Sequence, residues 1–315
     1  MTSPLLDLPG AVSGDGVDAG VAAHYGSFNN EQRALEAGNG FVDLSHRDVL
    51  RIEGPDRLTW LHSLTTQHFL ELPAGTWTRA LVLSPQGHVE HAMHGYDDGT
   101  AFLAHTEPGA AAALVDFLLK MRFMTQVEVS EETEALAVMW RPVDLEAGGK
   151  YELVPRDRLA AYAEAAGPPA GLWAFEALRI ARGEARFGFD TDHRTIPNEA
   201  GWIGTAVHLD KGCYRGQETV ARVHTLGRPP RRLTLLHLDG TENRLPVRGA
   251  ELSHEGRAVG VVGSSARHHE LGPIALALVK RNVPVEATLT ADGMPASQEI
   301  VVDPDVGLHV RPTLR

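Results

Sequence analysis

The sequence contains little cysteine, little lysine and no long hydrophobic run. Its 315 residues include a single cysteine, Cys213, so an intramolecular disulfide is excluded. No apolar stretch approaches the roughly 18–20 residues that span a bilayer, and the first residues lack the basic and apolar parts of a secretory signal. These absences predict a cytoplasmic protein that neither spans a membrane nor relies on disulfides.

The charge balance disfavours one class of partner. A formal net charge of −12 and a pI near 5.7 make the chain acidic. Because an acidic body repels phosphate backbones, we expect no direct contact with nucleic acid. Only four of the 29 basic residues are lysines, so each lysine is conspicuous, above all Lys211 near the one cysteine.

The chain divides by sequence texture into three parts. Residues 1–25 are rich in glycine, alanine, serine and aspartate without periodicity, which predicts a flexible tail. Residues 26–230 mix helical and strand patterns, which predicts an α+β body of two subdomains. Residues 231–315 contain short apolar runs separated by Asp-Gly and Glu-Gly turns, which predicts a small β-barrel or sandwich.

The most informative segment is Lys-Gly-Cys-Tyr-Arg-Gly-Gln-Glu at residues 211–218. Gly212 and Gly216 bracket the thiol, and glycine permits backbone conformations and close approaches that are closed to other residues. The pattern predicts that Cys213 lies on a turn ahead of a strand, outside the core.

Basic residues surround this cysteine. Lys211 and Arg215 flank it, and nearby cations favour the thiolate, so we expect a pKa for Cys213 below the free value of about 8.5. Residues 210–232 contain six basic and two acidic side chains, a local reversal of charge that suits a ligand with carboxylates. The alternative is that Cys213 is a small buried hydrophobic residue, as lone intracellular cysteines often are.

Residues 211–218 resemble the signature of the YgfZ family, the folate-binding relatives of the glycine-cleavage T-protein. The resemblance covers most of residues 40–235. The further stretches that carry it are 54–57 with Leu61, Leu64 and Thr65, then 83–89, 177–183, 186–188, 195–202 and 231–233.

The resemblance implies an aminomethyltransferase (T-protein)-like α+β fold with a C-terminal β-barrel and tetrahydrofolate, or another reduced folate, as cofactor. It implies that Glu199 accepts two N–H bonds from the pterin, a charge-assisted bidentate arrangement. It also places Tyr214 in the folate site and Arg231, with Arg232 as the fallback, at the glutamate tail of folate. The alternatives are a solvated loop carboxylate for Glu199 and an interdomain ion pair for Arg231.

The family role implied by the resemblance is support of iron–sulfur cluster assembly or repair, including the clusters of radical enzymes that modify tRNA. Iron–sulfur proteins would then be partners. Catalysis is assigned to Cys213 and Lys211. The motif residues with a structural role are Gly212, Gly216, Gln217 and Glu218.

The sequence departs from a T-protein on the strand that follows Gly87. T-proteins carry Asp-Asp there, and one carboxylate is required for transfer, whereas this chain has His91 and Ala92. The nearest acid, Glu90, shares a strand face with Ala92 one pair earlier, and His91 faces the other way. The absence of this carboxylate favours folate binding without aminomethyl transfer. The alternatives are a tetrahydrofolate-dependent aminomethyl- or methyltransferase that uses Glu90 or His91, and a non-catalytic scaffold with a vestigial pocket.

A metal site is not expected. His88, His91 and His94 are spaced by three residues, but on a strand the outer two share a face about 20 Å apart and the middle one faces opposite. The sequence also lacks a G-x-S-x-G element, a G-x-G-x-x-G element after a strand and a Walker A segment.

Overall fold

The computed structural model describes residues 2–309. The α-helices of this part of the chain are α1 (Phe28–Glu36), α2 (Arg57–Leu64), α3 (Ala111–Lys120), α4 (Leu159–Ala166), α5 (Leu172–Ala181) and α6 (Gln217–Leu226). The strands are β1 (Val12–Ser13), β2 (Ala22–His24), β3 (Phe41–Asp43), β4 (Asp48–Glu53), β5 (Thr78–Leu83), β6 (Val89–Asp97), β7 (Ala101–Thr106), β8 (Glu128–Glu131), β9 (Leu136–Arg141), β10 (Lys150–Pro155), β11 (Pro169–Ala170), β12 (Arg231–Leu238), β13 (Glu251–His254), β14 (Arg257–His268), β15 (Gly272–Lys280), β16 (Leu289–Ala291) and β17 (Met294–Ile300). Among the described residues, no helix is both long enough and apolar enough to cross a membrane.

Two compact units divide the chain. The first unit comprises Met1–His62, Phe69–Arg79 and Met93–Leu178, and the second comprises Ser63–His68, Ala80–Ala92 and Arg179–Arg315. Each unit is therefore assembled from segments that are distant in sequence. The sequence predicted a boundary at residue 230. The second unit instead includes segments from residue 63 onward.

The N-terminal segment differs from the predicted flexible tail over residues 1–25. It contains a 3-10 helix at Pro4–Asp7 and the antiparallel pair β1–β2. Leu5 and Val21 are buried, and the Ser3 hydroxyl donates to the Asp43 carboxylate over 2.5 Å. The prediction failed because each element is only two to four residues long, which is too short to show a hydrophobic period.

The first unit contains a four-stranded sheet in the order β10-β9-β3-β11. Its core joins residues from α1, β9 and α5, including Leu35, Trp140 and Phe175. The Trp140 and Phe175 rings pack edge to face with centroids 5.2 Å apart. The hydrophobic faces of α1 and α5 thus pack against the sheet, as is usual for amphipathic helices.

A five-stranded sheet has the order β5-β6-β7-β4-β8. Strands β4, β7 and β8 of this sheet lie in the first unit. Opposite pairing of β6 and β7 places His94 across from His105. These two imidazoles pack with Trp77 and Tyr151 in a cluster of rings whose centroids are 4.8–5.9 Å apart.

The second unit contains a closed barrel in the order β12-β15-β14-β13-β16-β17. Its first strand begins at Arg231, and its interior is filled by aliphatic side chains such as Leu236, Leu252 and Leu289. Barrel closure satisfies the backbone groups that an open sheet would leave at its edges.

Asp190 links the segment after α5 to the barrel within this unit. Its side chain is fully buried and accepts bonds from the Arg179 guanidinium over 2.9 Å and from the backbone N–H of Arg186 over 2.8 Å. Its other oxygen accepts the N–H of Ser264 over 2.6 Å, at the register shift of β14. A buried carboxylate with three donors thus holds α5, the segment after it and β14 in fixed positions relative to one another.

Candidate functional site

The segment that contains Cys213 lies in the second unit and leads into a helix. The structure contradicts the predicted strand after the cysteine, because α6 begins at Gln217. Gly216 stands at the N-cap with φ +80°, and Val220 is the buried residue of the helix. The β-branched residues of this stretch favour a strand by propensity, but such preferences are weak beside tertiary packing.

Lys211 is directed into the protein. Its side chain is buried, Nζ donates to the backbone carbonyl of Thr65 over 2.5 Å, and Nζ lies 4.9 Å from the Tyr214 ring centroid. Burial lowers the pKa of Lys211 to about 8, because removing the ammonium from water disfavours its charged form. The sequence did not indicate Thr65 as a partner, since it stands 146 residues away.

Cys213 is exposed, so the alternative of a buried structural cysteine is wrong. Gly212 beside it has φ +85°, and a Cβ atom at that position would meet no atom within 4 Å outside Lys211, Gly212 and Cys213. Glycine is therefore favoured at position 212 because of the positive φ, and not because a side chain would clash with its surroundings. Because Lys211 is buried and Cys213 is exposed, the two predicted catalytic residues occupy different environments.

Tyr214 and Gln217 hold the other flank of the cysteine. The Tyr214 N–H donates to Oε1 of Gln217 over 3.1 Å, and the Tyr214 ring is buried with Trp202 and Val220 in one hydrophobic cluster. Burial raises the pKa of Tyr214 to about 12. Gln217 thus holds the backbone of Tyr214, whereas Glu218 is exposed on the first turn of α6.

Gly216 contacts the turn between β5 and β6. A Cβ on Gly216 would lie 2.4 Å from the Ser84 carbonyl oxygen and 3.0 Å from the Cα of Gly87. Gly87 itself has φ +84°, and its Cβ would lie 2.7 Å from that of Thr219. The two glycines let these backbones approach, which places the motif against the start of β6.

This approach explains the position of Glu90 and His91. Arg215 forms an ion pair with Glu90, with Nη1 and Oε2 3.2 Å apart, and both side chains are half-exposed. Burial lowers the pKa of His91, and Glu90 partly opposes the shift. The sequence placed His91 at the transferase position and named Glu90 as the nearest acid, but it did not pair Glu90 with Arg215.

Glu199 and Arg231 are bonded to each other. Nε and Nη2 of Arg231 donate to the two oxygens of Glu199 over 2.9 and 2.8 Å, and Glu199 is 1% exposed. Arg231 also donates to Asp192 over 2.6 and 3.1 Å, and the backbone N–H of Ile196 donates to Glu199 over 3.2 Å. The alternative of a solvated carboxylate for Glu199 is therefore wrong. Arg231 forms an ion pair, as its alternative held, but with Glu199 and Asp192 of the same unit and not between domains, and the sequence did not indicate Asp192.

Arg232, the second candidate for the folate tail, forms its hydrogen bonds with residues of the barrel unit. It is fully buried, and its guanidinium donates to the carbonyls of Lys280, Arg281 and Val283 and to the side chain of Gln298 over 3.0–3.2 Å. Alternation along β12 explains the difference, because neighbouring residues on a strand face opposite sides. The Arg232 prediction is therefore corrected to a structural role.

The cysteine segment and the Glu199 network belong to one neighbourhood. The 3-10 helix Pro197–Ala200, which contains Glu199, packs against both α6 and β12. Ala200 and Tyr214 share the same hydrophobic cluster. The second unit thus brings together an exposed thiol, a buried amine, a buried carboxylate and an arginine.

Comparison with known proteins identifies sequence relatives over about four fifths of the chain. A chloroplastic protein of Arabidopsis thaliana, named as a transferase, is 27% identical over 302 residues that cover 81% of this chain and 67% of the relative. The aminomethyltransferase of Rubrobacter xylanophilus is 26% identical over 304 residues, 82% of this chain and 81% of the relative. No family model matches the sequence.

A solved structure shows the same architecture. The glycine cleavage system aminomethyltransferase T of Bartonella henselae matches with a TM-score of 0.76, over 96% of this chain and 97% of that chain, at 19% identity. The predicted α+β fold with a C-terminal β-barrel is confirmed. This chain has the aminomethyltransferase fold, and its sequence relatives are transferases of the aminomethyltransferase type.

Proposed function

We propose that this chain is a YgfZ-type protein that binds a reduced folate and supports iron–sulfur cluster assembly or repair through the thiol of Cys213. The observation that carries the proposal is the exposure of Cys213 on a segment fixed on both sides. Lys211 anchors one side to Thr65, and Gly216 packs against the β5–β6 turn on the other. A held and accessible sulfur suits attack on a partner, transient iron ligation or thiol exchange.

Folate binding is supported by the chemistry of Glu199. A carboxylate has about four lone-pair positions, and the described contacts of Glu199 place one bond on Oε1 and two on Oε2. Oε1 therefore has capacity for one N–H donor of an aminopyrimidine, so the residue fits the pterin by a single bond. The bidentate bond implied by the resemblance is made to Arg231 instead. Tyr214 and Arg231 remain predicted members of the folate site.

When bound, the folate would supply a one-carbon unit, and the protein residues would position it. Glu199 would orient the pterin edge. Arg231 donates to both Glu199 and Asp192, so in the folate site it would hold the Glu199 carboxylate in position. The cytoplasmic location and the iron–sulfur partners are part of the proposal, and the Arabidopsis relative is chloroplastic.

The test compares Cys213→Ala and Cys213→Ser with the unaltered protein in cells that lack it, with the activity of an iron–sulfur enzyme as the readout. We expect both variants to fail while the purified proteins bind tetrahydrofolate with unchanged affinity, because the thiol is exposed and is not part of the carboxylate network. Full complementation by Cys213→Ala would refute the thiol role. Since the chain has one cysteine, labelling with a thiol reagent reports on this site alone.

A second candidate function is a tetrahydrofolate-dependent aminomethyl- or methyltransferase. The observation that favours it is the carboxylate of Glu90, held by Arg215 beside His91 at the edge of the same segment. It predicts methylene-tetrahydrofolate formation from an aminomethyl or N-methyl donor, lost in Glu90→Gln. Absence of turnover with every such donor would remove this candidate, and absence of tetrahydrofolate binding would leave the non-catalytic scaffold.

A further inference from the structure

The loop after α3 carries apolar side chains into solvent. Phe123 and Met124 are 83% and 88% exposed, and Leu119 and Met121 just before them are almost half exposed. Single exposed apolar residues are common on proteins, but four within six residues form a patch, and such patches mark contact sites. Aromatic residues and methionine are also enriched where proteins meet. The loop therefore has the composition of an interaction surface.

This loop is fixed at both ends, so its tip is held in an exposed position. Nε1 of Trp60 donates to the carbonyl of Met121 over 3.1 Å, and the backbone N–H of Gln126 donates to the Asp56 carboxylate over 2.7 Å. Met124 has a φ of +53°, a left-handed conformation that residues with a side chain rarely adopt. Such conformations cluster at positions that serve a function.

The loop leads directly into β8, which is the outer strand of the five-stranded sheet. Within residues 2–309, β8 pairs with β4 alone, so one row of its backbone N–H and C=O groups has no strand beside it. Three residues separate Met124 from Glu128 at the start of β8, and a chain of that length spans at most about 14 Å. The apolar tip and the strand edge therefore adjoin within the first unit.

The edge at β8 is strongly acidic. Residues 128–134 contain four glutamates and no basic residue, and Glu128, Glu131 and Glu134 are exposed. Glu128 also lies opposite Glu53 of β4, so a second carboxylate faces it across the strand pair. Because opposite charges across an interface attract and like charges repel, this edge favours a basic partner.

We propose that Phe123, Met124 and the edge of β8 form a docking surface for an extended, basic segment of a partner protein. The segment adds to β8 as a further strand, so that its backbone groups pair with the outer row of β8. Its lysine or arginine side chains meet Glu128 and Glu131, and an apolar side chain packs on Phe123. The surface belongs to the first unit and Cys213 to the second, so docking here does not depend on the proposed thiol chemistry.

Charge disfavours two other occupants of this surface. A second copy of the chain, paired edge to edge, would place its own glutamates against those of β8, and charged side chains on an edge strand prevent such pairing. An anionic membrane would be repelled by the same carboxylates. Lys120, which stands beside the tip, is already paired with Asp116.

The test measures binding of a fluorescein-labelled peptide, Lys-Val-Lys-Phe-Lys-Val-Lys-Val, to the full-length protein by fluorescence anisotropy. We expect a dissociation constant below about 1 mM. Phe123→Ser, and separately Glu128→Lys combined with Glu131→Lys, should each weaken binding at least tenfold. A peptide with glutamate for lysine, and one with proline for valine that cannot complete a strand ladder, should bind at least tenfold more weakly. Absence of binding by the lysine peptide at about 1 mM would overturn the proposal.

Matched variants separate this surface from general effects of charge and apolar area. Glu146→Lys combined with Glu164→Lys makes the same change in net charge at two exposed residues of the first unit. Val17→Ser removes another exposed apolar side chain of that unit. Both controls should bind the lysine peptide as the unaltered protein does, and equal weakening in them would overturn the assignment to β8.

Two further measurements distinguish the other occupants. A dimer in sedimentation velocity that Phe123→Ser abolishes would assign the surface to a second copy, and co-sedimentation with phosphatidylserine vesicles that Phe123→Ser abolishes would assign it to a membrane. We expect neither, and either result would overturn the proposal. Cys213→Ala should bind the lysine peptide with unchanged affinity, so failure of the thiol role and failure of the docking surface are read separately.

Discussion

Replacement of Arg231 by methionine tests the carboxylate network directly. Arg231 supplies both side-chain donors to Glu199, which is 1% exposed and would otherwise keep only the N–H of Ile196. Breaking a buried ion pair by removing one partner costs about 3–5 kcal/mol. The side chains of Arg231 and Asp192 are 22% and 42% exposed, so water compensates part of this loss. We therefore expect Arg231→Met to cost about 2–3 kcal/mol.

Thermal unfolding measures this loss, with roughly 2–4 °C of melting temperature for each kcal/mol in a unit of this size. The expected decrease is therefore about 4–12 °C. Adding Glu199→Gln to Arg231→Met should recover part of the stability, because the amide removes the unpaired buried charge. A decrease in melting temperature below about 1 °C would refute the reasoning. So would a loss of stability in the double variant that exceeds the sum of the losses in the two single variants.

The pH dependence of Arg231→Met gives a second test. Although burial alone would raise it, hydrogen bonds from Arg231 lower the pKa of Asp192 well below its ordinary value. A carboxyl group with a depressed folded-state pKa stabilises the fold above its unfolded pKa of about 3.9 and loses that contribution as the pH falls. The stability difference between the wild-type protein and Arg231→Met should therefore shrink below about pH 4. A difference that stays constant down to pH 2.5 would contradict this account.

Three further predictions concern stability. Gly216→Ala should lower stability by about 1–3 kcal/mol, since its Cβ would lie 2.4 Å from the Ser84 carbonyl oxygen at a φ of +80°; an unchanged urea midpoint would contradict it. Asp190→Ala should cost about 3–5 kcal/mol because it leaves the Arg179 guanidinium buried without its carboxylate, and Asp190→Asn should cost less; equal losses would refute the charge argument. Burial, followed by nearby cations, holds the pKa of His105 well below 6.5, so the free energy of unfolding should fall by up to about 1.4 kcal/mol per pH unit below pH 6.5. His105→Gln should reduce this slope, and an identical slope would refute the assignment.

Sequence patterns predicted the regular elements best where one face of an element is uniformly apolar. The barrel strands were indicated by short apolar runs between glycine turns. The sequence did not predict helix α6 because Val220 and Val223 favour strands by propensity. In the structure the helix begins after Gly216, which has a positive φ, and it buries Val220. The N-terminal strands were missed because two or three residues carry no period.

In the candidate site, the motif identified the residues but not their partners. Glu199 and Arg231 were predicted to contact a ligand, and the sequence did not indicate that they contact one another. The pairing of Arg215 with Glu90 likewise joins segments separated by more than 100 residues. No local pattern encodes such a pair, because it depends on the distance between backbone segments in space.

The sequence by itself determined the chemical inventory: one thiol, four lysines, an acidic body with a basic stretch, and glycines on both sides of the cysteine. These facts follow from composition and local spacing, which need no fold. Only the tertiary structure decided that Lys211 points inward while Cys213 remains in water, and that Glu199 is neutralised by Arg231. The physical reason is that burial and charge pairing are set by neighbours brought from distant parts of the chain, and these determine the pKa and reactivity of a side chain.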